Sequence, residues 1–308
     1  MERFSYRSCT GTSEIAAYVW LPEGKPAAVI QIVHGMAEHA SRYDDIARCF
    51  ADAGYAVYAE DHLGHGDSIN GEGVKGYFAP EHGWDCVVND VMTLHGIIKE
   101  RHPGLPMVLY GHSMGSFLAR TCASRFPNEF DALIFSGTAG KNPVLGIAHA
   151  MANANAKRNG GKVPDEKLNG MAFGSYLKRI KNARTPFDWL TRDNAIVDEY
   201  IKDDLCGFTF TSAAFRDLFE GLGEIAGKKW AQKVANVPIC LIAGKEDPVG
   251  SYGKGVVEVS EDLLKTGHTK VVLQLYEGGR HEMHNEINRD EVYRGLLAFL
   301  RSAVNSGK

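Results

Sequence analysis

The stretch Met107-Val108-Leu109-Tyr110-Gly111-His112-Ser113-Met114-Gly115 decides the fold. Its first four residues form a short apolar run typical of a buried strand, and residues 116–126 have helical spacing. The pattern Gly-x-Ser-x-Gly therefore falls at a turn from strand to helix, which is the context that a nucleophile elbow requires. The glycines fit this interpretation because neighbouring side chains would clash around a strained serine. A capping serine in a plain glycine turn is the simpler alternative, and the flanking elements argue against it.

Short apolar runs alternate with helical stretches on both sides of this turn. Strands are predicted at residues 27–33, 55–59, 107–110, 132–135, 238–242 and 270–276, after an N-terminal hairpin of residues 4–7 and 15–20. Helices are predicted at residues 43–53, 84–101, 116–126 and 291–300. Such alternation predicts an α/β fold whose mostly parallel central sheet has helices on both faces.

The alternation fails between about residues 137 and 229, where the pattern is helical. This stretch is rich in aromatic residues, including Phe173, Tyr176, Phe187, Trp189, Phe208, Phe210, Phe215 and Phe219. Aromatic residues at helical spacing usually belong to a core, so they do not by themselves indicate a lipid substrate. We predict a core of residues 1–137 and 229–308 that carries an inserted helical cap, residues 138–228.

Composition and charge exclude several classes of protein. The 308 residues include 34 Lys+Arg and 38 Asp+Glu, so the formal net charge is −4, which argues against a nucleic-acid partner. No apolar run approaches the ~18 residues of a membrane span, and the N-terminus lacks the apolar region of a signal peptide. The six cysteines are dispersed, as expected of reduced thiols, so we expect a cytoplasmic protein.

A serine nucleophile needs a base, and the base needs an acid. His281 follows the predicted strand 270–276, and Asp247 follows the strand 238–242. The order Ser113, Asp247, His281 is that of α/β-hydrolases, and each residue follows the carboxyl end of a strand. The competing residues are Glu246 and Glu282 for the acid and His284 for the base.

An oxyanion hole needs two backbone donors. One is expected to be the N–H of Met114, directly after the nucleophile. The other is expected from the loop after the strand 27–33, where we favour the N–H of Met36. The alternative is that His34-Gly35 merely ends that strand.

The chain resembles the branch of the α/β-hydrolase family that contains monoacylglycerol lipases and lysophospholipases, also grouped with serine aminopeptidase-like hydrolases. Four blocks carry the resemblance, and the phrase Arg280-His281-Glu282 adds to them. They are His34-Gly35-Met36-Ala37-Glu38-His39 with Arg42-Tyr43, then residues 61–68 (Asp-His-Leu-Gly-His-Gly-Asp-Ser), Gly111–Ser116 and Gly244–Val249. The first block is the most discriminating.

The resemblance implies Ser113 as nucleophile, Asp247 as acid, His281 as base, and Met36 and Met114 as oxyanion donors. It also implies that the cap shapes an acyl pocket. The sequence departs from the family where Ala37 and Ser116 replace residues that are often glycine, which could narrow the oxyanion loop and alter packing under the elbow.

Two further groups of residues allow more than one interpretation. Glu38 and Arg42 are four residues apart and could pair. The resemblance supports their binding an alcohol leaving group such as glycerol, while a structural ion pair that orders the loop is the alternative.

His and Asp residues in 61–68 could ligate zinc. However, His281-Glu282-Met283-His284 is not the metalloprotease motif, so we favour a structural loop and expect no metal.

We therefore predict a serine carboxylic-ester hydrolase that acts on monoacylglycerol- or lysophospholipid-like esters through an acyl-enzyme, without a cofactor. An aminopeptidase or thioesterase using the same triad is the alternative, and Asp188, Asp193, Asp198, Asp203 and Asp204 could serve an aminopeptidase by binding a free amine. A non-catalytic binder would have a degraded triad. We expect a small-molecule acyl ester as partner and at most weak contact with a membrane surface, and the sequence leaves the oligomeric state open.

Overall fold

An eight-stranded sheet forms the centre of the computed structural model, which describes residues 1–69 and 73–305. The strands are β1 (Glu2–Arg7), β2 (Glu14–Trp20), β3 (Val29–Val33), β4 (Ala56–Glu60), β5 (Met107–His112), β6 (Ala132–Ser136), β7 (Ile239–Gly244) and β8 (Val271–Tyr276). They lie in the order β1-β2-β4-β3-β5-β6-β7-β8. Strands β3 to β8 are mutually parallel, while β1 and β2 form the antiparallel hairpin that the sequence predicts.

Helices cover both faces of the sheet. Those in the described residues are α1 (Asp44–Asp52), α2 (Gly83–Arg101), α3 (Met114–Arg125), α4 (Leu145–Asn159), α5 (Glu166–Phe173), α6 (Asn194–Lys202), α7 (Ser212–Glu224), α8 (Lys254–Lys265) and α9 (Arg289–Asn305). The predicted α/β-hydrolase fold is thereby confirmed. None of these helices, within the described ranges, has the length and hydropathy needed to cross a bilayer.

Side chains alternate across each strand, so the two largest clusters of buried side chains lie on opposite faces of the sheet. Leu109 of β5 packs on the face covered by α2 and α3, where Trp84 and Phe117 are also buried. Val108 and Tyr110 pack on the opposite face against α1 and α9. This burial on both faces explains why the parallel strands have short, almost wholly apolar sequences.

Helices α4 to α7 all lie between β6 and β7, in the stretch where the alternation of strands and helices fails. Three of them begin with a side chain that caps the first turn: Asp165 accepts from the N–H of Leu168, Asp193 from Ala195, and Thr211 from Ala214. The stretch is helical as expected. Its treatment as a separate cap domain with bounds at 138 and 228 remains a prediction.

Some element bounds differ from the prediction. Strand β5 continues through His112 and helix α3 begins at Met114, so the turn between them consists of Ser113 alone. Helix α8 was not predicted, because glycines at 250, 253 and 255 obscure its start. Its buried residues Val256, Val259 and Leu263 nevertheless have helical spacing.

Candidate active site

Ser113 occupies a sharp turn at the carboxyl end of β5. Its backbone has φ 52° and ψ −123°, which is a costly conformation for any residue but glycine. The Ser113 N–H donates to the carbonyl of Ser136 on β6 at 2.9 Å. A Cβ at Gly115 would lie 1.9 Å from the Val33 carbonyl oxygen, and one at Gly111 would lie 2.3 Å from the Gly115 oxygen. The two glycines therefore let the strand, the turn and the helix approach closely around the serine.

His281 and Asp247 meet beside this turn. His281 Nδ1 lies 3.0 Å from Asp247 Oδ2, and both side chains are buried. The other Asp247 oxygen accepts the Val249 N–H at 2.9 Å. Burial lowers the pKa of His281, but the charge and hydrogen bond of Asp247, together with the charges of Glu282 and Glu38, raise the pKa above its ordinary value. His281 Nε2 is also buried, and no described residue hydrogen-bonds to it.

Most of the predicted site residues line one cavity of about 850 Å³, and Asp247 is linked to it through its hydrogen bond to His281. Ser113, His281, Met36 and Met114 all line it. The aromatic residues singled out in the sequence line it too, except Phe210. A cavity of this volume and lining can hold a largely apolar small molecule beside the serine and the imidazole.

Comparison with known proteins identifies the family. The family model described as "Hydrolase_4: Serine aminopeptidase, S33" matches residues 24–288. The monoacylglycerol lipase of Mycolicibacterium smegmatis is 33% identical over 297 residues, which is 95% of this chain and 94% of that protein. The chain belongs to this family of α/β-hydrolases.

Two further relatives support the same assignment to the S33 family. The monoglyceride lipase of Homo sapiens is 28% identical, with 87% of this chain and 80% of that protein covered. The crystal structure of a thermostable carboxyl esterase from Bacillus coagulans in complex with glycerol superposes with a TM-score of 0.93 at 34% identity, covering 98% of each chain. The family and these ester-hydrolysing relatives make the protein a carboxylic ester hydrolase.

The competing acids and base of this S33 hydrolase are placed differently from Asp247 and His281. Glu246 is exposed, and Glu282 binds Arg42 through both carboxylate oxygens at 2.8 Å. His284 stacks on Tyr43 with ring centres 4.5 Å apart, and burial lowers the pKa of His284 to about 3. Glu246, Glu282 and His284 therefore take no part in the hydrogen bond between Asp247 and His281.

Glu38 and Arg42 form an ion pair at 2.5 Å, and Glu282 completes the cluster. Glu38 Oε1 also accepts from the Gly35 N–H at 2.6 Å and from the Tyr43 hydroxyl at 2.8 Å. These contacts favour the interpretation that the pair orders the loop. Glu38 and Glu282 nevertheless line the large cavity, whereas Arg42 lines a neighbouring cavity of about 300 Å³.

Side chains of residues 61–68 hold loops of the protein together. Asp61 accepts from the N–H groups of Ala40 and Asp67, both at 2.8 Å. His65 Nδ1 lies 2.9 Å from the Leu63 carbonyl, so Nε2 is left to accept from the Ala37 N–H at 3.2 Å. This segment thus supports the loop that follows β3.

One group of potential metal ligands occurs among the described residues. His39, Asp203 and Cys206 offer ligand atoms that lie within 4.8 Å of one another. Both nitrogens of His39 are already engaged, Nε2 with Asp203 and Nδ1 with Ser41, each at 2.8 Å. The geometry is that of a hydrogen-bonded histidine.

Sequence reasoning named Trp189 only as one of the aromatic residues of the cap, and it missed Tyr200 and Gly207, which also contact the site. Trp189 packs against His281, with ring centres 5.1 Å apart. The Tyr200 hydroxyl and the Gly207 N–H each donate to the Ala37 carbonyl at 2.9 Å. No sequence motif marks these three residues, because their positions depend on how the segment 138–228 packs on the sheet.

Proposed function

We propose that the protein hydrolyses monoacylglycerol- or lysophospholipid-like esters with Ser113 as the nucleophile. The observation that carries this proposal is the cavity itself. It is lined by a serine in a strained turn and by an imidazole whose Nε2 has no described partner, and its walls are mostly apolar. The names of the lipase and esterase relatives support the same substrate class.

In the proposed mechanism, His281 Nε2 takes the proton from the Ser113 hydroxyl as the oxygen attacks the ester carbonyl. Asp247 holds the imidazole through Nδ1 and stabilises its charged form. The N–H groups of Met36 and Met114 hold the negative oxygen. His281 then gives its proton to the departing alcohol, and water hydrolyses the acyl-enzyme by the same steps.

Glu38 and Arg42 are proposed to receive the alcohol. Glu38 lines the cavity, and Arg42 holds the Glu38 carboxylate in place. A carboxylate in this position can accept a hydrogen bond from a free hydroxyl of glycerol. Under this proposal Glu38→Gln lowers the rate for a monoacylglycerol more than the rate for the ethyl ester of the same fatty acid.

The cap segment, residues 138–228, is proposed to cover the site and to form the acyl pocket. Val144 and Met171 of this segment are more than half exposed and also line the cavity. Weak contact with a membrane surface is proposed through such exposed residues, and liposome co-sedimentation tests it.

The six cysteines are free thiols, which supports the proposed cytoplasmic location, and cell fractionation can test it.

None of the five aspartates named for the aminopeptidase alternative lines the cavity, which favours an ester substrate over one with a free amine. Asp188, for example, accepts from the Thr185 hydroxyl and the Arg184 N–H. A thioesterase would use the same cavity and differ only in the leaving group.

The decisive experiment compares wild-type protein with Ser113→Ala on monoacylglycerols, lysophospholipids, acyl thioesters and aminoacyl amides. We expect ester turnover in the wild type, and in Ser113→Ala only the residual ~10³–10⁴-fold acceleration over water that binding and the oxyanion hole supply. Full p-nitrophenyl ester activity in Ser113→Ala would overturn the assignment of the nucleophile. Preferred turnover of amides or thioesters would overturn the proposed substrate class.

A further inference from the structure

The peptide groups around Ala37 are held from two sides. Ala37 directly follows Met36, the proposed oxyanion donor, and has φ 55°. Its N–H donates to His65 at 3.2 Å, which ties it to the loop after β4. Its carbonyl accepts two hydrogen bonds of 2.9 Å from the cap segment, one from the Tyr200 hydroxyl and one from the Gly207 N–H. The loop is therefore anchored to the core through one atom and to the cap segment through another.

The left-handed conformation of Ala37 needs such anchors. A residue other than glycine in this region is strained, and the surrounding contacts must maintain it. The N–H of Met36 lies one peptide group before that of Ala37, so the contacts that hold Ala37 also limit how far the Met36 N–H can turn. If the Ala37 carbonyl loses donors, the loop can relax and the Met36 N–H turns away from the position of the oxyanion.

Tyr200 is fixed independently of its hydroxyl. It lies in α6, its side chain is buried, and the Arg42 guanidinium sits 4.8 Å from its ring centre. The ring also packs on Phe187, with ring centres 5.1 Å apart. Removing only the hydroxyl should therefore leave the ring in place.

We propose that Tyr200 is a positioning residue for ester hydrolysis, and that its hydroxyl holds the Ala37 carbonyl so that the Met36 N–H faces the oxyanion. The oxyanion hole is then complete only while the cap segment is seated on the loop after β3. This inference rests on the proposed function, since it assumes that Met36 is an oxyanion donor.

A preorganised oxyanion donor acts on the transition state and hardly on the bound ester. Loss of a complete donor costs ~10²–10³-fold in kcat. Gly207 still holds the carbonyl in Tyr200→Phe, so we expect a smaller loss, about 10-fold in kcat, with KM little changed.

The experiment uses the full chain and compares wild type, Tyr200→Phe and Tyr58→Phe. Tyr58 is the matched control because it is buried, its hydroxyl bonds to His102 at 2.9 Å, and neither residue lines the cavity. For each protein, kcat and KM are measured with a p-nitrophenyl ester. Inhibition is measured with an alkyl trifluoromethyl ketone, which forms a tetrahedral oxyanion with the serine, and with an alkyl ether that has no carbonyl.

We expect kcat and affinity for the ketone to fall together in Tyr200→Phe, while KM and affinity for the ether stay at wild-type values. Tyr58→Phe should match wild type in all four. Unchanged kcat and ketone affinity in Tyr200→Phe would overturn the inference, and so would equal losses for ether and ketone. If the wild type shows no ester turnover, the proposed function fails instead.

Hydrogen exchange of the peptide containing residues 33–40 gives a readout that does not depend on catalysis. We expect faster exchange in folded Tyr200→Phe and wild-type exchange in Tyr58→Phe. Wild-type exchange of this loop in Tyr200→Phe would contradict the inference even if the variant had lost activity through reduced stability.

Discussion

At the scale of single residues, the environment of His281 determines how it titrates. Two opposing effects act on its pKa: burial disfavours the imidazolium, and the Asp247 carboxylate 3.0 Å away favours it. Burial is the largest single effect, but the charge and hydrogen bond of Asp247 together with the charges of Glu282 and Glu38 exceed it, so the pKa of His281 lies above its ordinary value. As the proposed base, His281 must be neutral to accept a proton. It is therefore active only at pH values above its raised pKa.

We expect kcat/KM of the wild type to fall as the pH decreases through the raised pKa of His281. In Asp247→Asn the negative charge is lost and burial has the dominant effect on the pKa of His281. The fall of kcat/KM on the acid side, the acid limb of the profile, therefore moves to lower pH. The maximum rate should also fall, on the order of 10⁴-fold, because the imidazole loses its orientation and its counter-charge. The measurement is kcat/KM for a p-nitrophenyl ester across pH.

Glu246→Gln is the control for this titration, because Glu246 adjoins Asp247 in sequence but is exposed. Its acid limb should coincide with that of the wild type. A shift of the limb in Glu246→Gln, with none in Asp247→Asn, would reverse the assignment of the acid.

At the scale of elements, the contact between α3 and β3 positions the turn at Ser113. The Gly115 Cα lies so close to β3 that an added Cβ would meet the Val33 and His34 carbonyl oxygens at 1.9 and 2.5 Å. Both are backbone atoms, which cannot rotate away. The glycine is therefore required by packing between two elements.

Gly115→Ala should separate α3 from β3. We expect a loss of about 1–3 kcal/mol in the free energy of unfolding, from overpacking, and a loss of ester turnover because Ser113 moves with the helix. Gly96→Ala is the matched control: Gly96 lies within α2, and nothing lies within 4 Å of the added Cβ. There we expect a gain of roughly 0.5–1 kcal/mol from helix propensity. Urea unfolding measures both, and a stable, active Gly115→Ala would refute the packing argument.

Prediction of elements from the sequence succeeded where the pattern was local. Each predicted strand appears in the structure. For the parallel strands β3 to β7 the reason is that a strand buried on both faces needs a short apolar run. Helix α8 was missed because its glycine-rich start resembles a loop. The division of the chain at residues 138 and 228 is a property of packing between segments, and it stays a prediction.

At the scale of the whole molecule, Arg42 joins two distant parts of the chain. Its guanidinium binds Glu38 in the loop after β3 and Glu282 beside His281, 240 residues away. All three side chains are largely buried. Arg42 holds the pKa of Glu282 below its ordinary value although burial acts in the opposite direction. The loop of the proposed oxyanion donor and the loop of the proposed base are thus fixed relative to each other.

Arg42→Met should leave two buried carboxylates without a counter-charge. We expect a loss of about 3–5 kcal/mol in the free energy of unfolding at neutral pH, measured by urea denaturation. Arg48→Met is the control, since Arg48 forms an exposed pair with Asp44 and should change the midpoint little. A midpoint for Arg42→Met equal to that of Arg48→Met would contradict a structural role for the cluster.

The sequence by itself determined the α/β fold, the family and the three motifs that carry Ser113, Asp247 and His281. These features depend on local periodicity and on glycines required at one turn, and both are readable from neighbouring residues. Only the tertiary structure decided that Arg42 also binds Glu282, and that Tyr200 and Gly207 hold the Ala37 carbonyl. Those contacts join residues 160 or more positions apart, and their geometry depends on how the segment 138–228 and the loops pack on the sheet, which no local pattern encodes.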